Sequence, residues 1–263
     1  MIPSNDRNWV PDLAKIPFGE LNDGVVTLHN FRSCQYITES DFVVNFSERV
    51  FRLSDIVEVD YVVVPFQNTP VIAHTMLSFR LANDEYVCVS SEIRKEIGEN
   101  FSPMLGVTNQ FELIYVIADE KDLIRLRTRY RKADVYIYPT VADATAAQQL
   151  FIDIMQRINK LASKPEFYNT FVNNCTTNIA QHVNGISSRR PIGRLNWQVL
   201  LPGMSPKYAY ELGLLDQSVP FDELRQMAHI NPLADQYFDD PDFSRRIRMR
   251  LSELDSKPAT RQR

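Results

Sequence analysis

The feature that most constrains the fold is a change of hydrophobic period at Pro139. Before this proline, β-branched and aromatic residues gather in short runs, which is the composition that favours β-strands. After it, apolar residues recur every three or four positions, as on one face of a helix. The strand runs are Tyr61–Phe66, Val71–Phe79, Tyr86–Ser91, Glu112–Ala118 and Val135–Tyr138. The chain is therefore predicted to be an α+β protein with an antiparallel sheet packed on helices.

The second and third strand runs are joined by the short, turn-forming stretch Leu81–Glu85, which predicts an antiparallel hairpin. Antiparallel partners are arranged symmetrically about the turn. With the turn at Asn83 and Asp84, His74 on the first strand therefore faces about position 93 on the second, within about two residues. Side chains from the two strands can then share one site.

Two helices are predicted behind the sheet. The first covers about residues 143–163 and carries a clear apolar stripe. The second begins near Cys175, because Asn173 and Asn174 are natural N-cap residues, and it ends at Gly185.

The chain divides into three predicted segments. Residues 1–58 are a β-rich lead-in with one or two edge strands, and residues 59–235 form the main domain with the candidate site. Residues 236–263 carry many charged side chains and are predicted to be a solvated, flexible tail.

Charge and hydropathy argue against two classes of protein. The chain has 29 Lys and Arg against 33 Asp and Glu, a formal net charge of −4, and it therefore lacks the positive field that attracts nucleic acid. No apolar run approaches the ~18–20 residues of a membrane span, and the first residues lack a signal-peptide core. The chain as given is predicted to be a soluble globular domain.

Three cysteines occur, Cys34, Cys88 and Cys175, with no Cys-x-x-Cys spacing and no clustering with histidine. This pattern predicts neither a disulfide framework nor a zinc site, and no metal or cofactor is expected. Cys175 lies in the first turn of a predicted helix, where the helix dipole and unpaired N–H groups stabilise a thiolate. It is the candidate nucleophile, and the alternative is a buried structural cysteine.

A thiolate nucleophile normally needs an imidazole within hydrogen-bond reach. Four histidines are available. His182 follows Cys175 on the same helix, but it lies about 10 Å along the axis and is predicted to pack or to face solvent. His29 and His229 are weak candidates. His74 stands inside an apolar strand, where an unpaired imidazole is costly, so it is the predicted partner; the alternative is a satisfied core histidine.

The strand opposite His74 offers side chains that can orient its ring. Glu92 is the first choice and Ser90 the second, because a carboxylate or hydroxyl can accept the Nδ1–H bond and fix the tautomer. The alternative is that Ser91–Glu96 is an exposed, charged strand end.

Several short motifs, taken together, resemble the Lnb family of bacterial lipoprotein N-acyltransferases. The motifs are Pro3–Trp9, Ala73–Phe79, Glu92–Glu96, Glu112–Tyr115, Arg125–Thr128 and Asn173–Asn178. The order of a strand histidine, a polar residue on the next strand and a later helix-start cysteine also resembles the permuted papain-like fold. That fold is found in lecithin:retinol acyltransferase-like and NlpC-type proteins. The resemblance covers about residues 3–215 and implies a permuted papain-like core in residues 59–235.

The resemblance implies a thiol acyltransferase that moves a fatty acyl chain from a phospholipid to the N-terminal amine of a lipoprotein. Cys175 and His74 are then its catalytic pair, and the domain lies on the periplasmic side of the bacterial inner membrane, against the membrane surface. Family members usually carry hydrophobic segments before the Ser4–Trp9 motif. No such anchor is present in this chain, which is therefore expected to be a soluble domain of an anchored protein or a member without an anchor.

Three further residues are predicted to contact substrate. They are Arg94, near Glu92, Asn174, directly before Cys175, and Trp197, in an apolar run that can line a groove or touch a membrane.

Two other functions stay open. The same pair serves a cysteine peptidase or amidase that acts on cell-wall peptide, with water as acceptor. A non-catalytic binding module would keep Cys175 as a structural residue. An apolar groove at the site favours acyl transfer, and a polar cleft favours hydrolysis.

Overall fold

Eight strands form one sheet in the computed structural model, which describes residues 2–99, 110–187, 191–193 and 196–254. The strands are β1 (Phe18–Asn22), β2 (Val25–Tyr36), β3 (Phe42–Arg52), β4 (Ile56–Phe66), β5 (Thr69–Leu81), β6 (Tyr86–Arg94), β7 (Glu112–Asp119) and β8 (Tyr136–Pro139). Their order is β1-β2-β7-β6-β5-β4-β8, with β3 also paired to β2. Neighbours are antiparallel except β2 and β7. The predicted strand runs correspond to β4 through β8, and the α+β class is confirmed.

The helices follow or interrupt the strands. They are α1 (Glu120–Arg125), α2 (Ala144–Ser163), α3 (Cys175–Ile186), α4 (Trp197–Leu200), α5 (Ser205–Glu211), α6 (Phe221–Ala228), α7 (Asn231–Gln236) and α8 (Phe243–Arg246). A π turn, Leu126–Tyr130, continues α1. Both predicted helices, α2 and α3, are confirmed, although α3 continues one residue past Gly185.

The long helix α2 packs its apolar stripe on the sheet. Phe151 lies at its centre and makes edge-on ring contacts with Phe79 of β5 and Phe51 of β3, with centroids 5.1 Å and 5.8 Å apart. Fully burying such a side chain contributes roughly 1.5–3 kcal/mol. This packing holds β5 in a fixed position relative to the helical layer.

The N-terminal lead-in is more regular than the sequence suggested. Residues 1–58 were expected to be a β-rich lead-in with one or two edge strands; β1 and β3 are edge strands of the sheet, and β2 is an interior strand that pairs with both and with β7. Gly19 of β1 also donates its N–H to the side chain of Asn159 on α2. The three strands form two successive hairpins, with Asn22 paired to Val25 and Tyr36 paired to Phe42. Their link to the rest of the sheet is the parallel contact of β2 with β7, which is remote in sequence and which local patterns do not reveal.

The C-terminal tail is also different from the prediction. Within 236–263, the segment through α8 packs on the protein: Phe243 is fully buried. The guanidinium of Arg248 donates to Glu120 at 2.6 Å and 2.9 Å, so a charge that suggested solvation is instead matched by a buried carboxylate. Residues 255–263 of the predicted tail lie outside the described residues. The three segment boundaries themselves stay a prediction.

The hairpin formed by β5 and β6 turns at Asn83 and Asp84, as predicted, and the φ of 61° at Asp84 is one that aspartate tolerates in turns. The last paired residues of this ladder are Met76 and Ser90. Continuing that register by two residues brings Glu92 across from His74, one position from the predicted partner.

Beyond the last pair of this ladder the two strands separate. β5 continues to Thr69 along β4, whereas β6 continues to Arg94 along β7. The helix α3 begins at this opening, where the Sγ atom of Cys175 lies 4.0 Å from the carbonyl oxygen of Ala73. The opening lets a helix start approach side chains from both strands.

Candidate active site

Cys175 is the first residue of α3, and a reciprocal cap fixes its position. The side chain of Asn174 accepts the N–H of Thr177, and the Thr177 hydroxyl accepts the N–H of Asn174, both at 2.8 Å. The Asn174 amide also donates to the carbonyl oxygen of Thr170 at 2.6 Å. Asn174 was predicted to contact substrate, but its buried side chain is committed to the backbone and orients the thiol.

His74 on β5 reaches both predicted orienting residues on β6. Its Nε2 atom lies 2.7 Å from the Ser90 hydroxyl and 3.2 Å from a carboxylate oxygen of Glu92. The ring also lies close enough to the thiol of Cys175 for each group to shift the pKa of the other. The sequence predicted that Nδ1 faces the orienting residue, whereas the structure places Nε2 there.

An arginine that the sequence did not single out stands behind this pair. Arg127, in the π turn, donates to Glu92 at 2.8 Å and to the carbonyl oxygen of Leu123 at 2.9 Å. The Ser90 hydroxyl donates to the same oxygen of Glu92 at 2.6 Å. The Arg125–Thr128 motif of the resemblance contains this residue, but its local pattern gave no reason to place it beside Glu92.

The electrostatics of these groups favour an ion pair. Burial opposes ionisation of the Cys175 thiol, but the hydrogen bond and charge of His74 outweigh it and lower the pKa to about 7. Burial likewise opposes the charged imidazole, but Glu92 and Cys175 outweigh it and raise the pKa of His74 to about 9. Burial would raise the pKa of Glu92, yet His74 and Arg127 hold it well below its usual value. Near neutral pH the imidazole of His74 is therefore charged and about half of the Cys175 side chains are thiolates.

A cluster of four hydroxyl groups adjoins the sulfur. The Thr176 hydroxyl lies 3.8 Å from Sγ of Cys175 and 3.0 Å from the hydroxyl of Thr75. Next to them, the Tyr61 hydroxyl lies 2.7 Å from that of Ser205. Burial raises the pKa of Tyr61, so this phenol stays neutral and can donate a hydrogen bond.

Ser205 joins this cluster because the turn Pro202–Met204 lies directly on the start of β5. A Cβ atom on Gly203 would collide with the backbone carbonyl of Pro70. Glycine is therefore required for this close approach of two backbone segments.

An apolar cavity of about 340 Å³ lies beside the cluster. Tyr61, Thr176 and Ser205 form part of its wall. The rest of the wall is mainly aliphatic and comes from β4, β5, α2, α3, α5 and adjoining loops, with side chains such as Leu77, Leu150, Ile179, Val183, Val199 and Leu212. The volume lies within the usual range for small-molecule sites.

Among the hydrogen bonds of the described residues, none joins Arg94 or Trp197, the two other predicted substrate residues, to Cys175 or His74. Arg94 is buried and donates to the carbonyl oxygens of Leu13 and Ala14 at 2.9 Å and 2.8 Å, with its guanidinium 4.2 Å from the ring centroid of Trp9. Its Nη1 also donates to the side chain of Asn5 at 3.2 Å, so the guanidinium stabilises the N-terminal segment, and its role as a substrate contact stays a prediction. Trp197, on α4, is 56% exposed.

A helix-start thiol, an imidazole from a neighbouring strand and a carboxylate behind it form the kind of site that thiol-dependent enzymes use, here within an α+β domain. The family described as the Lnb N-terminal periplasmic domain matches residues 43–203, more than half of the chain. The chain belongs to this family and is a periplasmic domain of an Lnb-type protein. The matched range includes Cys175, His74, Ser90, Glu92 and Arg127.

No curated protein and no solved structure matches the chain. In the part of the chain that the structure describes, no helix combines the length and the apolarity needed to cross a membrane.

Proposed function

We propose that this domain is a thiol acyltransferase that moves a fatty acyl chain from a phospholipid to the N-terminal amine of a bacterial lipoprotein. The acyl group is carried as a thioester on Cys175 between the two steps of the transfer. The observation that carries the proposal is the grouping of Cys175, His74 and Glu92 next to an apolar cavity whose wall includes Thr176. An activated nucleophile and an apolar binding site are what the transfer of a fatty acyl group requires.

In the first half of the reaction, the Cys175 thiolate attacks the ester carbonyl of the phospholipid. A carbon–sulfur bond forms and the carbon–oxygen bond to the glycerol breaks. The departing oxygen takes the proton of the His74 imidazolium and leaves as an alcohol. The enzyme then carries a thioester and a neutral imidazole.

In the second half, the amine of the lipoprotein attacks the thioester. A carbon–nitrogen bond forms, the carbon–sulfur bond breaks, and the Cys175 thiolate leaves. The neutral His74 takes the proton that the amine loses, which restores the starting ion pair. Glu92, held by Arg127, stabilises the charged imidazole at the start and the end of the cycle.

Both halves place negative charge on a carbonyl oxygen next to the sulfur. The first N–H groups of an α-helix have no intrahelical partner. Cys175 and Thr176 supply such groups at the start of α3, and the neutral Tyr61 hydroxyl is near. These donors would stabilise the oxyanion.

The lining of the site separates acyl transfer from the hydrolytic alternative. A peptidase or amidase acting on cell-wall peptide shares the dyad, but its substrate is polar and uses water as acceptor. The mainly aliphatic wall beside Cys175 supports a fatty acyl substrate.

Exposed apolar side chains near the site support contact with a membrane surface. Phe171 and Val172 precede Cys175, Val71 precedes His74, and Trp197 lies on α4; all four are exposed. Exposed aromatic and aliphatic side chains of this kind can enter the headgroup region of a bilayer. We place the domain against the periplasmic side of the inner membrane, tethered by an anchor in the complete protein.

The order of the site residues along the chain supports a permuted papain-like core. His74 and Glu92 precede Cys175, whereas in papain-like proteases the cysteine comes first and the histidine follows. The spatial grouping of thiol, imidazole and orienting residue is nevertheless of the same kind.

The test uses cells that express the complete native protein with a diacylated reporter lipoprotein. Mass spectrometry of the reporter's N-terminal peptide should show one added acyl chain with wild type and with the control Cys88→Ala. Cys175→Ala and His74→Ala should each abolish it. Absence of the added mass with wild type, together with release of cell-wall peptide fragments, would favour the hydrolase. Normal acylation with Cys175→Ala would leave only a binding role.

A further inference from the structure

The apolar cavity follows the helix that carries the nucleophile. It begins at Thr176, whose hydroxyl is 3.8 Å from the sulfur, and continues past Ala180 and Val183 to Ile186. These side chains share one face of α3. Successive cavity-wall residues on α3 therefore lie at increasing distances from the sulfur.

Resting on the proposed function, we propose that this cavity holds the acyl chain of the Cys175 thioester and that α3 sets the chain length the enzyme favours. The distance from Thr176 to Ile186 is about 15 Å at ~1.5 Å per residue. One acyl chain of a phospholipid spans one leaflet, about half of the ~30 Å hydrocarbon core of a bilayer. The part of the wall that α3 contributes is thus about as long as one acyl chain.

The distribution of polar groups along the cavity fits this occupant. Near the sulfur the wall carries the hydroxyls of Thr176, Tyr61 and Ser205, which suit the carbonyl end of an acyl group. Along α3 it becomes aliphatic, with Ile179 and Val183. Each methylene that enters an apolar site strengthens binding by roughly four-fold, so the preference should rise with chain length until the cavity is filled.

The wall also includes Val141 and Asp143, which are exposed. A chain longer than the cavity would emerge there into water and would gain nothing from its last methylenes. Wild type should therefore show a preference that levels off with length, without a sharp cutoff.

The experiment measures acylation of the purified domain by the p-nitrophenyl esters of acetate, octanoate and palmitate, with acyl-Cys175 followed by intact-mass spectrometry. The readout is the ratio of palmitate to acetate rates. Ala180→Phe, close to the sulfur, should lower this ratio at least about a hundred-fold. Ile186→Trp, at the far end, should lower it about ten-fold and leave the octanoate to acetate ratio within about three-fold of wild type.

A matched control is Gln181→Phe, which adds the same ring to the same helix at a position outside the cavity wall; its ratio should equal that of wild type. Should Ala180→Phe fail to fold by thermal melting, Ala209→Phe fills the cavity from the opposing helix α5. An unchanged ratio in the folded variants would overturn the cavity assignment. Wild type that acylates with none of the esters would instead overturn the proposed function.

Discussion

Two largely buried histidines in this domain each pair with a carboxylate, yet their surroundings differ. His74 contacts Glu92 and Ser90 through Nε2 and lies beside the thiol of Cys175. His182 contacts Asp153 through Nδ1 at 2.6 Å and the Tyr115 hydroxyl through Nε2 at 2.8 Å. Both nitrogens of the second ring are therefore occupied by structural partners.

The charge state of the two rings differs for the same reason. Burial lowers the pKa of His182, although Asp153 opposes the shift. At His74, Glu92 and the thiol together outweigh burial and raise the pKa to about 9. A histidine–carboxylate pair alone thus says little about chemistry, because the group on the second ring nitrogen decides what the imidazole can do. The sequence left His182 either packed or facing solvent, and its buried side chain shows that it packs.

The largest expected contrast is between alanine variants of these two histidines. His74→Ala should slow acylation of Cys175 by octanoate ester about 10³–10⁴-fold, because the thiolate loses its counter-ion and the leaving group its proton donor. His182→Ala should change the rate by less than about three-fold. It should lower the free energy of unfolding by roughly 1–3 kcal/mol, since Asp153 and Tyr115 lose a hydrogen-bond partner. Intact-mass kinetics and urea unfolding measure the two effects; equal rate losses would refute the distinction.

The three thiols give the next contrast. Cys175, with its pKa lowered to about 7, should react with iodoacetamide at pH 7.5 about 10²–10³-fold faster than Cys34. Burial raises the pKa of Cys34 to about 12 and also raises that of Cys88. The higher intrinsic reactivity of a more basic thiolate offsets part of this difference. Peptide mapping by mass spectrometry gives the rates, and equal labelling of all three in the folded protein would contradict the assignment of Cys175.

Matched carboxylate variants sharpen the comparison between the histidines. Glu92→Gln should lower the pKa of His74, raise that of Cys175 and slow acylation about 10²-fold, because the imidazolium loses its neighbouring charge. Asp153→Asn, the corresponding change beside His182, should have an effect below about three-fold.

Arg127→Gln should slow acylation less than Glu92→Gln, about ten-fold, because it removes a support of Glu92 and not a partner of the ring. The shift of the acid limb of the rate–pH curve is the decisive measurement. An unmoved limb in Glu92→Gln would mean that Glu92 serves only packing.

The smallest expected effect is the change in acylation rate between about pH 7 and pH 9, which should stay within about three-fold because Cys175 is ionised and His74 protonated over most of this range. Acylation should rise about ten-fold per unit as the pH approaches about 7, where Cys175 ionises. It should decline above about 9, where His74 loses the proton that the leaving oxygen needs. Alkylation by iodoacetamide needs no proton and should keep its plateau above that pH. A decline of both reactions together would argue against a proton donor at His74.

Parts of the site were predictable because local chemistry specifies them. The N-cap residue Asn174 with its partner Thr177 fixes the start of α3 at Cys175. The turn at Asn83 and Asp84 fixes the register that faces His74 toward β6, within one position. Neither feature depends on distant parts of the chain.

Other parts could not be read from the sequence. Arg127 reaches Glu92 because the fold brings the π turn next to β6. Arg248 is buried because Glu120 and Asp60, from other segments, accept its hydrogen bonds. In both cases the sequence shows a charged residue, which is usually solvated. Its burial depends on a partner supplied by another segment.

The sequence by itself determined the reactive groups and their local setting: a thiol at a helix start and an imidazole on a hairpin strand. Only the tertiary structure decided that they meet. The separation of β5 from β6 opens a place for the start of α3 between side chains that are remote in the chain. The apolar cavity has the same origin, because its wall is assembled from several elements, and burial is a property of their packing and not of any one segment.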